Sequence, residues 1–151
     1  MRTLASPADL ADILRRLQTV RPEAKPKWGR MSAHQMVCHL ADSMRVALNQ
    51  RATSTATGPL QRTFVKWIAL YLPVSWPAGI QTRPEVDQEA AGTRPLHFGS
   101  DRENLESLLR SITDEQMPTC PTHPIFGPMS RPAWLRWAYL HADHHLRQFG
   151  A

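Results

Sequence analysis

Disulfide chemistry is all but absent from this chain, which has two cysteines, Cys38 and Cys120, in 151 residues. That excludes the cross-linked framework of a small secreted domain and fits a reducing compartment. Long apolar runs are missing as well. The most apolar stretch, 64–80, is interrupted by Lys66, Pro73 and Pro77. It falls short of the roughly 20 apolar residues that a membrane-spanning helix needs. The opening MRTLASPADL carries no apolar run, so no signal peptide is expected. A cytoplasmic protein without a membrane partner is the resulting expectation. Blocks of charge are lacking too. The net charge is +5 and the pI about 9.9, yet the basic residues are scattered with no run of five. Nucleic acid is therefore not the expected partner. There is no glycine-rich phosphate loop, no GxSxG elbow, no internal repeat and no strand pattern of useful length.

What is present is helical periodicity. A chain of this length with 42% hydrophobic and 21% charged residues suits one folded domain, 1–151, with a single core. Ser6-Pro7-Ala8-Asp9 reads as a helix start, with Leu10, Ile13, Leu14 and Leu17 as its stripe, ending before Arg21-Pro22. A proline-bearing connection follows, in which Trp28 is expected to anchor the loop. Ser32 opens the second helix, with Gln35 completing a capping box. Met36, Leu40, Met44 and Ala47 form its stripe, His39 and Ser43 lie on the shoulder, and Asp42, Arg45 and Asn49 face away. Residues 51–59 form a polar linker. Leu60 to Leu72 is a third, shorter helix carrying Phe64, Trp67, Ile68 and Tyr71, stopped by Pro73. From 73 to 99 the chain reads as a long excursion pinned by Trp76 and Ile80; loops of that length are often functional. Ser100-Asp101 starts another core helix, with Leu105, Leu108, Leu109 and Ile112 inside. The sum is an all-α, four-helix bundle with one extra short helix and long loops.

The last segment, from Ser130, holds the chemistry. Ser130 can cap a helix, Pro132 suits its first turn, and Gly150 follows its last periodic residue. At roughly 100° per residue, Trp134, Trp137, Ala138, His141, His145 and Phe149 share one stripe, opposite Arg136, Asp143 and Arg147. Two imidazoles thus sit mid-way along the face to be buried. An unpartnered buried polar group costs about 1–3 kcal/mol, so they call for a partner. Residues four apart on a helix have Cβ atoms about 5–6 Å apart, a spacing from which two ring nitrogens reach one metal at about 2.0–2.1 Å. A third ligand must come from another element. His39 is the histidine on the inner side of another helix, whereas His34 points elsewhere and His97 and His123 fall in loops. Three histidines would leave a coordination position open, as catalytic sites do. The alternative is a polar core satisfied by carbonyls or carboxylates. His144 rivals His145 as a ligand from a less central angle. Cys38 reads as a small packing residue, and Asp143, facing outward, is a poor general base. Asp42 and Gln148, one turn from these histidines, are candidates to hydrogen-bond them.

Ser32-Ala33-His34-Gln35-Met36, with His39 just after, resembles the second-helix signature of the DinB-like (YfiT-like) metalloenzymes. His141-Ala142-Asp143-His144-His145-Leu146-Arg147-Gln148-Phe149 looks like the closing helix of a bacterial branch of that superfamily. His123-Pro124-Ile125-Phe126-Gly127-Pro128 looks like its accompanying loop. The resemblance covers most of the chain. It implies an up-down-down-up four-helix bundle and a divalent metal, zinc or nickel, held by His39, His141 and His145. It also implies a small-molecule substrate, with a low-molecular-weight thiol as the co-substrate of thiol S-transferases of this kind, or else a hydrolytic reaction. A bundle with a structural metal or a ligand-binding role remains the alternative. The apolar segment 64–76 exceeds what one small core absorbs, so a homodimer face is expected there.

Overall fold

A computed structural model describes residues 1–72, 76–80 and 82–151; Pro73, the expected stop of the third helix, lies outside them. Among the described residues five α-helices follow in chain order: α1 (Pro7–Thr19), α2 (Ala33–Ala47), α3 (Lys66–Tyr71), α4 (Phe98–Ser111) and α5 (Arg131–Gln148). The fold is all-α, with one two-residue antiparallel pair, β1 (Thr122–His123) and β2 (Gly127–Pro128), as its only sheet among the described residues. α1 and α2 each pack on α4 and α5. The four long helices therefore form a ring with α1 and α2 at opposite corners, while α3 leans on α5 from outside.

The helix ends follow from local chemistry. The hydroxyl of Ser6 accepts from the Asp9 N–H, and that of Ser130 from the Ala133 N–H. At α2 the capping box is complete: Ser32 accepts from the Gln35 N–H, and the Gln35 side chain accepts from the Ser32 N–H. These bonds satisfy donors that the first helical turn leaves unpaired. α5 closes on Gly150 at φ 79°. The Gly150 N–H donates to the Arg147 carbonyl and the Ala151 N–H to the Leu146 carbonyl, a left-handed stop that glycine adopts without a Cβ clash. α4 starts at Phe98, two residues before the expected Ser100, and the Asp101 carboxylate of its first turn reaches back to accept from the Leu96 N–H at 3.1 Å.

The core lies where the stripes meet: Ile13 and Leu17 of α1, Met36, Leu40 and Met44 of α2, Leu105 and Leu109 of α4 with Ile112 just after it, and Trp134 and Ala138 of α5 are all buried. Two helices are buried more completely than one stripe predicts. In α5, Leu135, Tyr139, Ala142 and Leu146 are also buried, because α1 covers the face opposite the histidines. Arg16 of α1 reaches Asp143 at 2.8 Å there. In α2, Asp42 does not face away into solvent but is 0% exposed. It accepts from the Thr93 N–H and hydroxyl, each at 2.7 Å, from Gln88 at 3.1 Å, and from Arg45 and Arg51 at 2.9 and 3.2 Å. The long excursion folds back over α2 and is fastened by this carboxylate.

That excursion is ordered differently from expectation at one point. Trp76 is held, its indole N–H donating to the Ala69 carbonyl at 2.8 Å, but Ile80 is 55% exposed and pins nothing. A 3₁₀ turn, Pro84–Val86, then lies against α2. α3 continues without a break from a π-helical turn, Gln61–Val65. Leu70 is its buried residue, while Leu60, Phe64 and Trp67 around it are 68%, 62% and 53% exposed.

Candidate metal centre

His39 projects from the middle of α2, and His141 and His145 from successive turns of α5. One ring nitrogen from each lies within 4.8 Å of the other two. His39 Nε2 and His141 Nε2 are 3.1 Å apart, and the ring centroids of all three pairs fall between 4.9 and 5.1 Å. Two nitrogens on one tetrahedral ion at about 2.0–2.1 Å are separated by roughly 3.3 Å, so the His39 and His141 nitrogens already stand at about that separation, with a His145 nitrogen within 4.8 Å of both. The group could hold a metal ion.

The protonation of two rings is set by their neighbours. His39 Nδ1 lies 2.7 Å from the Val86 carbonyl, an acceptor only, so Nδ1 carries the proton and Nε2 offers a lone pair. His145 Nδ1 donates to the Gln148 side-chain oxygen at 2.9 Å, which leaves its Nε2 free as well. Gln148 is itself fixed, its amide donating to the Trp28 carbonyl at 2.7 Å. Of the two residues expected to bond these histidines, Gln148 does so and Asp42 does not; its oxygens are taken by the 84–93 segment. His141 Nδ1 is buried without a hydrogen-bond partner. Its Nε2 is the nitrogen turned toward His39, and the donor set, three neutral imidazoles, suits zinc, copper, iron or nickel.

Burial governs the charge of the cluster. Desolvation lowers the pKa of His39 and drives that of His141 well below its ordinary value, with His145 and His39 adding to the latter. His145 is pushed down to about 3, again by burial first and by His39 second. All three are neutral at pH 7, the form that binds metals. His144 stands beside the cluster, its ring edge-on to His145 at 5.2 Å and to Trp28 at 5.7 Å.

The histidines line a cavity of about 800 Å³, within the range of small-ligand sites. Its other walls are Trp28 and Met31, Phe64 and Ile68 of the α3 region, Trp76, Phe126, Trp134 and Trp137. The Trp137 ring lies 4.7 Å from His141, and Trp76 lies 6.1 Å from it. Trp28 thus borders the cavity and is only half-buried, rather than acting as a core anchor alone. Arg30, Arg83, Asp87 and Glu89 supply its charged edge.

His123, expected in a loop, is a further neighbour of the cavity: it lies in β1 and is 4% exposed. Its ring stacks on Phe126 at 4.7 Å and meets Trp134 and Trp137 at 5.1 and 5.0 Å. Its Nδ1 accepts from the Ile125 and Phe126 N–H groups, both at 3.1 Å. Only the tight turn, with Gly127 at φ 67°, aims it inward, and two-residue strands leave no periodic signal. His34 and His97 lie away from the cluster: His34 meets Asp101 at 2.7 Å, and His97 precedes α4.

No helix among the described residues is long and apolar enough to cross a membrane. A family model described as the DinB superfamily matches residues 2–149. No curated protein and no solved structure matches the chain.

Proposed function

Since this chain belongs to the DinB superfamily, we propose that His39, His141 and His145 hold a divalent cation, zinc or nickel, and that the protein is a metal-dependent enzyme acting on a small substrate. The observation that carries this reading is the convergence of three neutral imidazoles from two helices, His39 and His141 buried and His145 partly exposed, beside a largely apolar cavity. When bound, such a cation supplies a Lewis acid that lowers the pKa of a thiol or water. The chain's own residues do the rest. The Val86 carbonyl and Gln148 orient His39 and His145. Trp76, Trp137, Phe64 and Ile68 keep water from the reacting groups and accept the apolar part of the substrate. Arg30 and Arg83 at the edge suit an anionic group. A low-molecular-weight thiol is the co-substrate this reading names, with S-transfer as the reaction and hydrolysis as the other outcome of the same centre.

Elemental analysis of protein purified without an affinity tag tests the metal. One equivalent is expected, and its loss in His141→Ala; no stoichiometric metal in folded wild-type protein overturns the reading. A thiol-conjugation screen then tests the reaction. The 3.1 Å approach of His39 Nε2 to His141 Nε2, between α2 and α5, favours a second reading, in which a shared metal clips two helices without turnover. A chelator separates the two. A structural metal ties unfolding to occupancy, whereas a catalytic one leaves with little loss of helix. The same proposal places the protein in a reducing cytoplasmic compartment, consistent with two free cysteines, and pairs two copies through the exposed face of Leu60, Phe64 and Trp67.

A further inference from the structure

On another face of α2 stands a second group of metal-binding side chains. His34 and Cys38 are one helical turn apart, so both lean toward the same neighbour, which is α4. Asp101, in the first turn of α4, meets them. Its Oδ2 lies 2.7 Å from His34 Nε2 and 3.8 Å from Cys38 Sγ. One ligand atom from each of the three lies within 4.8 Å of the others. The His39 side chain points elsewhere, about 100° round the helix from Cys38, so the two groups share a helix but no residue.

We infer that His34, Cys38 and Asp101 form a second site for a thiophilic divalent cation of the zinc class. A nitrogen, a sulfur and a carboxylate oxygen from two elements are a zinc-type donor set, with ligand distances of about 2.0–2.3 Å. The thiol separates this site from the three-imidazole centre and selects against magnesium and calcium. The carboxylate is already braced, since the Leu96 N–H donates to Asp101 Oδ2 at 3.1 Å; ligating carboxylates are commonly held in this way. His34 is steadied by an edge-on Phe98 ring at 5.4 Å. Cys38 is 2% exposed, whereas the His34 and Asp101 side chains are 20% and 23% exposed. The sulfur is thus shielded while the other two donors open to solvent, which gives the cation an entry path and leaves a fourth position for water. On binding, the thiol proton leaves to solvent, the His34 ring takes the tautomer protonated at Nδ1 so that Nε2 is bare, and the His34–Asp101 hydrogen bond gives way to two bonds to the cation. The result is a clip between α2 and α4, next in sequence to His39.

Cobalt(II) is the probe, because thiolate ligation adds an intense near-ultraviolet charge-transfer band that an all-imidazole site lacks. The full-length wild-type protein is expected to bind two equivalents and to show the band. The variant with His141→Ala and His145→Ala should keep the band and lose one equivalent. Cys38→Ser and, separately, His34→Ala should lose the band and retain the other equivalent, while Cys120→Ser should leave both unchanged. Circular dichroism checks folding. Should Cys38→Ser not fold, the half-exposed His34→Ala decides alone. No band in folded wild-type protein overturns the inference, as does a band that survives in His34→Ala or Cys38→Ser or that disappears with Cys120→Ser. Failure of the three-histidine centre looks different: one equivalent, with the band intact.

Discussion

Gln148 makes a fine distinction at the level of single residues. It accepts from His145 Nδ1 and donates to the Trp28 carbonyl, so it holds both the tautomer and the tilt of that ring. Gln148→Leu keeps the volume and removes the bond. Metal affinity is expected to fall by about 10–100-fold, with thermal stability changed far less, as read by competition with a coloured chelator. His123 makes a pH prediction. Burial, aided by nearby Lys66, holds it down to about 3 against an ordinary 6.5. Between those values the unfolded chain binds a proton that the folded chain refuses. Its contribution to stability is therefore complete above pH 6.5 and is lost as the pH falls toward 3. His123→Asn keeps an acceptor for the two N–H groups and cannot titrate. Its urea midpoint should decline less steeply than wild type between pH 6.5 and 4. A parallel decline in both proteins would show that His123 is not the group responsible. The i,i+4 histidines and His39 were legible as a candidate set because helical spacing converts directly into a shared face. His123 was not, because its inward aim depends on a turn and on two tryptophans distant in sequence.

Among the elements, the 84–93 segment shows most clearly what periodicity misses. Asp42 falls on the side of α2 that its stripe assigns to solvent, and the structure buries it under a loop that no pattern in that loop announces. Arg51 completes the fastening, donating to the Glu85 and Ala91 carbonyls at 2.8 and 2.7 Å as well as to Asp42. Removing one member of a buried charged network leaves the others unpaired, at a cost of about 3–5 kcal/mol. Asp42→Ala should lose stability on that scale in denaturant unfolding. It should also weaken metal binding, because the loop that this carboxylate holds also supplies the Val86 carbonyl to His39. Arg45→Ala, which spares Arg51 and Thr93, is expected to cost less. The N-caps of α1, α2 and α5 and the glycine stop of α5 were readable to within a residue or two, since each rests on side chains adjacent in sequence. The excursion was not, since it is ordered by bonds to residues 42 and 51, far outside any local window.

For the whole molecule, the inner stripes were sufficient to place four long helices around one core, and α4 and the residue that caps it bury the leucines and isoleucine the spacing assigns. The short extra helix is where the pattern was ambiguous: α3 is apolar on both sides, and its outer residues remain exposed. A homodimer through Leu60, Phe64 and Trp67 should give twice the monomer mass by light scattering. Phe64→Ser with Trp67→Ser should return the monomer mass with stability changed by about 0.5 kcal/mol or less per site, the usual range for surface positions. Monomeric wild-type protein at high concentration would leave this face to the cavity instead, since Phe64 borders it.

The placement of Trp137 and Trp76 around His141 gives the centre an optical signal of its own. Indole emission is sensitive to a cation or a charged ring a few ångströms away. Titrating an ion into the stripped protein should therefore change the intrinsic fluorescence in proportion to occupancy, without a dye or a substrate. A paramagnetic ion such as nickel should dim it more than zinc does.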